Sequence, residues 1–207
     1  MSDDHMLKKM WAVLYTHPML GPKRLMVWSE ALNALTMVPG IFLAMQHLNR
    51  TTAATERVAI GSYVWVCAHS MFYHLVDGEA APRLKSFALG LDLLTQQISA
   101  VLSFRAFKAK YGVHHTTLVE VGMLVASAAV LRSALCVRRR MSGADIVVQS
   151  AVVFAGSWAD LHPVWLIAFF ARVVSSSSKH RLFFSHSVFH IAVHVAFHRL
   201  FGRLRRP

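Results

Sequence analysis

Residues 57–76, RVAIGSYVWVCAHSMFYHLV, run for 20 positions with one permanently charged side chain, Arg57, at the entry. About 20 mostly apolar residues are what an α-helix needs to cross the ~30 Å hydrocarbon core of a bilayer. Working outward from this stretch, similar segments recur near 28–47, 84–105, 114–136, 144–159, 163–178 and 182–200. The expected fold is all-α: a polytopic membrane protein whose seven-transmembrane helix bundle spans residues 26–201. Residues 1–25 form an N-terminal segment suited to the membrane surface, and 202–207 a short basic tail. The fifth and sixth segments are short and separated only by Asp160, His162 and Pro163, so one long interrupted helix is the alternative.

Composition agrees with a lipid environment. Of the 207 residues, 55% are hydrophobic and 15% charged, with a mean hydropathy of +0.44. Soluble domains carry about 45–50% and about 25% respectively. The net charge of +12 does not point to nucleic acid. Its basic residues fall in short clusters between apolar stretches, such as Lys8-Lys9, Lys108/Lys110, Arg138-Arg139-Arg140 and Arg203/Arg205/Arg206. That is the pattern of membrane-flanking loops against anionic headgroups. The two cysteines, Cys67 and Cys136, both lie in apolar segments and imply no disulfide framework. Lys8-Lys9 precede an apolar run that Pro18 and Gly21-Pro22 break, which does not read as a cleavable signal.

Orientation is close to balanced. With seven spans, the side holding the N-terminus carries Lys8, Lys9, Lys23, Arg24, Arg83, Lys85, Arg138, Arg139, Arg140, Lys179 and Arg181, 11 in all. The other side carries nine: Arg50, Arg57, Arg105, Lys108, Lys110, Arg199, Arg203, Arg205 and Arg206. Asn49-Arg50-Thr51 is a glycosylation sequon which, if used, puts the N-terminus inside.

Ionisable groups inside a membrane are costly, and each one asks for a reason. Ser70 and His74 are spaced i, i+4 and share a helix face at the end of the second segment; His69 lies on another face. Asp92, Gln96, Ser99 and Ser103 form one stripe of the third segment, expected to face the bundle interior. His186 and His190 open the seventh segment at the same i, i+4 spacing, which lets two imidazoles close on one ion. Seven spans bring Ser70, His74, Asp92, His186 and His190 to one layer, within roughly 12 Å of depth at 1.5 Å per residue. Three neutral imidazoles with one position left to water suit a catalytic zinc ion (Zn2+). The metal acidifies that water and polarises a carbonyl. Asp92 is placed to orient the water or take its proton, and Ser70 to donate to an oxyanion or to hold a ligand. Taken singly, each motif also reads as helix-to-helix hydrogen bonding. His190, His194 and His198 continue the spacing and suit a metal or haem carrier as well.

These residues resemble the superfamily that joins alkaline ceramidases with progestin and adiponectin receptors, and within it the hemolysin III and adiponectin-receptor branch. Ser29-Glu30-Ala31-Leu32-Asn33-Ala34-Leu35-Thr36 resembles that branch's first-helix Glu-x2-Asn motif, with Met37 where the branch usually has His. Ser70-Met71-Phe72-Tyr73-His74 resembles its Ser-Thr-Leu-Tyr-His form, and His186-Ser187-Val188-Phe189-His190 its His-x-x-Phe-His. The stretch 144–180 carries none of the branch's middle motifs, and the ceramidase-type acidic N-terminal motif is absent. The resemblance implies seven helices, zinc on His74, His186 and His190, and Asp92 and Ser70 beside the metal. It also implies hydrolysis of an amide in a ceramide-like lipid, or receptor signalling linked to it. The functional expectation is thus a bilayer hydrolase acting through metal-bound hydroxide. A non-enzymatic receptor with structural zinc, or a metal or haem transporter, are the alternatives.

Among the other polar residues, Glu30 and Asn33 read as a polar cap where the first helix enters the membrane. Glu120 has no evident partner, Arg132 snorkels, and Asp160-Leu161-His162-Pro163 reads as a turn.

Overall fold

A computed structural model describes residues 22–77, 80–112, 121–122, 124–128, 163–176 and 185–205. All of the regular structure among them is helical, with no strand. The long elements are α1 (Pro22–Leu48), α2 (Ala54–Leu75), α3 (Pro82–Tyr111), α4 (Pro163–Ser176) and α5 (Ser185–Arg205). Residues 121–122 and 124–128 are helical too and fall in the expected 114–136 segment. The expected 144–159 segment lies outside the described residues, as do residues 1–21, Glu120, Arg132, Cys136 and Asp160–His162.

α1, α2, α3 and α5 are longer than apolarity alone implied. α1 starts at Pro22 rather than 28, and α5 runs on to Arg205, taking four residues of the expected basic tail into the helix. Local sequence explains the ends of α3. Pro82 occupies the first turn, where a missing N–H costs nothing. At the other end Gly112 adopts φ 64°, a left-handed conformation, and its amide caps Lys108 O at 3.0 Å. Pro39 lies inside α1 and removes one helical hydrogen bond.

Neighbouring helices pack in the order α3, α2, α1, α5, α4. Two sets of contacts fix their directions. At one end, the start of α1 meets the end of α2 and the start of α3 through Glu30, His74 and Lys85. At the other, Tyr111 of α3 donates to Arg203 O of α5 at 3.1 Å, and Lys110 reaches Leu204 O. The His47 and His198 rings meet at that same end. α1, α3 and α5 therefore run one way and α2 the other.

The core between α1, α2, α3 and α5 is small-residue packing around a few large rings. Ala44, Ala59, Ala106 and Ala196 are buried and let the backbones approach, while Tyr63, Phe107, Phe197, Phe201 and Leu200 fill the gaps. Met37 is buried there as well. Polar residues share the interior: Asn33, Ser70, His74, Asp92, Ser99, Ser103, Ser187, His190 and His194 are all buried. Large apolar side chains are left outside instead, with Phe42 71%, Leu35 65%, Trp65 63% and Phe170 62% exposed. Exposed large apolar side chains in this number mark a surface that meets lipid or a partner. Among the described residues, two helices are long and apolar enough to cross a membrane, Ser29–Leu48 and Arg83–Tyr111.

Candidate metal centre

The site is assembled where α2 ends and α5 begins. His74 lies in the last turn of α2; His186 and His190 lie in the first two turns of α5, one turn apart. The ligand atoms of His74, His186 and His190 all fall within 4.8 Å of one another. Their ring centroids are 5.1, 5.2 and 4.4 Å apart. A tetrahedral ion with Zn–N bonds of about 2.0–2.1 Å needs nitrogens about 3.3 Å apart, so modest ring rotations close the set. The three histidines expected from spacing are the three brought together, and this group can hold a metal ion.

The fit of a cation rests on the hydrogen bonds behind the rings. His74 Nδ1 lies 2.5 Å from the Glu30 carboxylate, so it carries its proton and donates it. That leaves Nε2 with its lone pair, and Nε2 is buried with no hydrogen-bond partner. A buried nitrogen lone pair left bare is costly unless something electrophilic fills the space. His190 Nδ1 is 3.0 Å from the Thr36 hydroxyl, whose own proton points to Asn33 O at 2.7 Å. Thr36 thus accepts from His190 Nδ1–H, and His190 too keeps the lone pair on Nε2. His186 differs. Its Nδ1 is 3.4 Å from the Arg172 guanidinium of α4, which can only donate, so that lone pair is engaged and the ring proton falls on Nε2; to ligate a cation the ring must exchange this long contact for the ion. Arg172 also stacks 5.4 Å over Phe189.

Asp92 lies on α3's buried stripe, within electrostatic reach of His74 and Arg172. Its carboxylate accepts hydrogen bonds from Ser70 and from Gln96 Nε2, the latter at 2.9 Å. Ser70 therefore gives its single proton to Asp92, and its place in the site is to hold that carboxylate. Asp92, Ser99 and Ser103 face inward as the stripe required, and Gln96 is half-buried. His69 is away from the site, its ring stacked on Trp65.

Against this geometry, no protein-family model, no curated protein and no solved structure matches the chain. The site must therefore speak through its own chemistry.

Four contributors had no role at the metal assigned from the sequence. Glu30 and Asn33, read as a cap, and Thr36 all face the metal-site helices, and Asn33 Oδ1 accepts from the buried Ser187 hydroxyl at 2.7 Å. Their signals in the sequence were the resemblance to the Glu-x2-Asn motif and a spacing of three along α1, which places them on one side of that helix. Arg172 is the fourth, with no pattern to mark it. His194 is closed on both nitrogens: Nδ1 lies 2.6 Å from Tyr63 Oη, and Nε2 2.7 Å from Thr36 O. The His190, His194, His198 stripe is thereby broken as a ligand set at its middle member.

Proposed function

We propose that the protein is a multi-pass membrane hydrolase that uses zinc on His74, His186 and His190 to cleave the amide of a ceramide-like lipid. The observation that carries this reading is the bare, buried Nε2 of His74, aimed into a three-imidazole group with no fourth protein ligand among the described residues. Three histidines with an open position are the donor set of catalytic zinc, whereas structural zinc sites fill all four. When bound, the ion supplies a Lewis acid for the amide carbonyl and an acidified water.

The chain's own residues would do the rest. Asp92, buried beside His74 and held by Ser70 and Gln96, accepts the attacking water's proton and orients it. Arg172 contributes positive charge at the same site, which favours a carbonyl oxygen as it becomes negative. The exposed large apolar side chains and the polar residues kept inside support a lipid setting, and the helix directions are compatible with the seven-span count. The motif resemblance to alkaline ceramidases and adiponectin receptors points the same way.

The test is zinc content and turnover in one preparation. Detergent-purified protein is expected to hold one zinc per chain and to release fatty acid from ceramide-like amides. His186→Ala is expected to lose both. Full zinc occupancy in His186→Ala would remove the ligand assignment. Zinc in the wild type with no amide turnover would favour a receptor with a structural ion.

A further inference from the structure

We infer that α1 is the positioning frame of the metal centre, with Glu30 and Thr36 setting the ring orientation and tautomer of His74 and His190. The inference rests on the zinc reading above. None of the three metal-binding histidines is on α1, yet α1 touches both helices that carry them.

Glu30, Asn33 and Thr36 are spaced by three, so they climb one side of α1 over about 9 Å. Each engages a different point of the site. Glu30 takes the Nδ1 proton of His74 on α2; Asn33 takes the Ser187 proton on α5; Thr36 takes the Nδ1 proton of His190 on α5. Ser187 lies between His186 and His190 in sequence, so its bond fixes the first turn of α5 between the two ligands. In both bonded histidines the occupied nitrogen is Nδ1, which commits Nε2 to the centre.

The carboxylate adds more than direction. Glu30 Oε2 also lies 3.8 Å from Lys85 Nζ, which is itself anchored to Tyr73 O at 2.6 Å. A carboxylate behind an imidazole makes the ring a stronger donor to a cation, and loss of such a partner commonly costs 10–100-fold in metal affinity. Thr36 lends direction without charge, so its effect should be the smaller.

The experiment is a zinc titration of the full-length protein in detergent against a chelator of known affinity. Wild type would be compared with Glu30→Ala, Glu30→Gln, Thr36→Val and Thr36→Ser. Glu30→Ala should weaken zinc by about 10–100-fold. Glu30→Gln should fall between, because its amide oxygen still accepts from Nδ1 but carries no charge. Thr36→Val should weaken binding and Thr36→Ser restore it, a rescue that a packing role for Thr36 would not give. Cobalt-loaded Glu30→Gln should also show shifted visible bands, since ring basicity sets the ligand field. If Glu30→Ala does not fold, the isosteric Gln and Val variants carry the test. Affinity in Glu30→Gln and Thr36→Val within twofold of wild type overturns the inference. Wild type that binds no zinc overturns the zinc reading as well, so the two failures are distinct.

Discussion

The Tyr63 hydroxyl lies 2.6 Å from His194 Nδ1, and the opposite nitrogen of the same ring is 2.7 Å from Thr36 O. A carbonyl can only accept, so Nε2 carries the ring proton and Nδ1 accepts from Tyr63. His194 thus joins α5 to both α1 and α2. Tyr63→Phe leaves Nδ1 buried without a donor, which should cost about 1–3 kcal/mol and lower the thermal midpoint in detergent. Zinc content should be unchanged, because His194 is not a ligand. Loss of zinc in Tyr63→Phe would show that the stripe below His190 belongs to the metal site.

Gly40 stands where α1 comes closest to that ring. A Cβ there would meet Nδ1 and Cε1 of His194 and would lie 2.9 Å from Cys67 Sγ. Alanine normally gains about 1 kcal/mol over glycine inside a helix. Overpacking a rigid neighbour costs about 1–3 kcal/mol, and His194 is held at both ends, so the clash should win. Gly40→Ala is expected to be destabilised, whereas Gly61→Ala, whose Cβ would meet nothing within 4 Å, should not be. Equal thermal midpoints for the two variants would show that α1 is free to move away.

These contrasts explain which features could be read in advance. His74, His186 and His190 were legible because their neighbours lie one turn away along the same helix, and helical spacing fixes that relation. Asp92, Ser99 and Ser103 were legible for the same reason. Glu30 was not. Its meaning depends on how α1 is rotated against α2, and a helix apolar on nearly every side carries no periodicity to set that rotation. Arg172 escaped for a related reason: only the packing of α4 on α5 brings it to His186. Helix ends were missed outward, at Pro22 and Arg205, because apolarity marks a lipid boundary and not the last hydrogen bond.

On the proposed zinc reading, Asp92 and the three histidines should separate cleanly in kinetics. Asp92→Asn keeps the shape of the side chain and one acceptor oxygen but removes the charge that accepts a proton. Amide turnover should fall by at least about 100-fold with zinc content near that of wild type. Retained turnover in Asp92→Asn would move the base elsewhere.

Arg172 should act in opposite directions on binding and on chemistry. Its guanidinium donates towards His186 Nδ1 and places a positive charge beside a cation site. Arg172→Met keeps an unbranched apolar side chain but removes both effects, so zinc affinity should rise by several-fold as like-charge repulsion is relieved. Turnover should fall, because the charge that favours a developing oxyanion is gone. A fall in zinc affinity would show instead that Arg172 holds His186 in place.

Because α2 is antiparallel to α1, α3 and α5, the sidedness of several positions follows without any count of the intervening helices. Thr52, between α1 and α2, and Arg203, near the end of α5, lie at one end of the bundle; Ala80, between α2 and α3, lies at the other. Each of the three is exposed. In a background with Cys67 and Cys136 replaced, single cysteines at these positions should react with a membrane-impermeant maleimide in two classes. Cysteines at 52 and 203 should label from one face of sealed vesicles, and that at 80 only from the opposite face. Asn49 lies with the first class, so a glycan there would place Arg203 on the non-cytosolic side. Labelling of 80 and 203 from the same face would turn α5 over and carry His186 and His190 away from His74, leaving no shared ion.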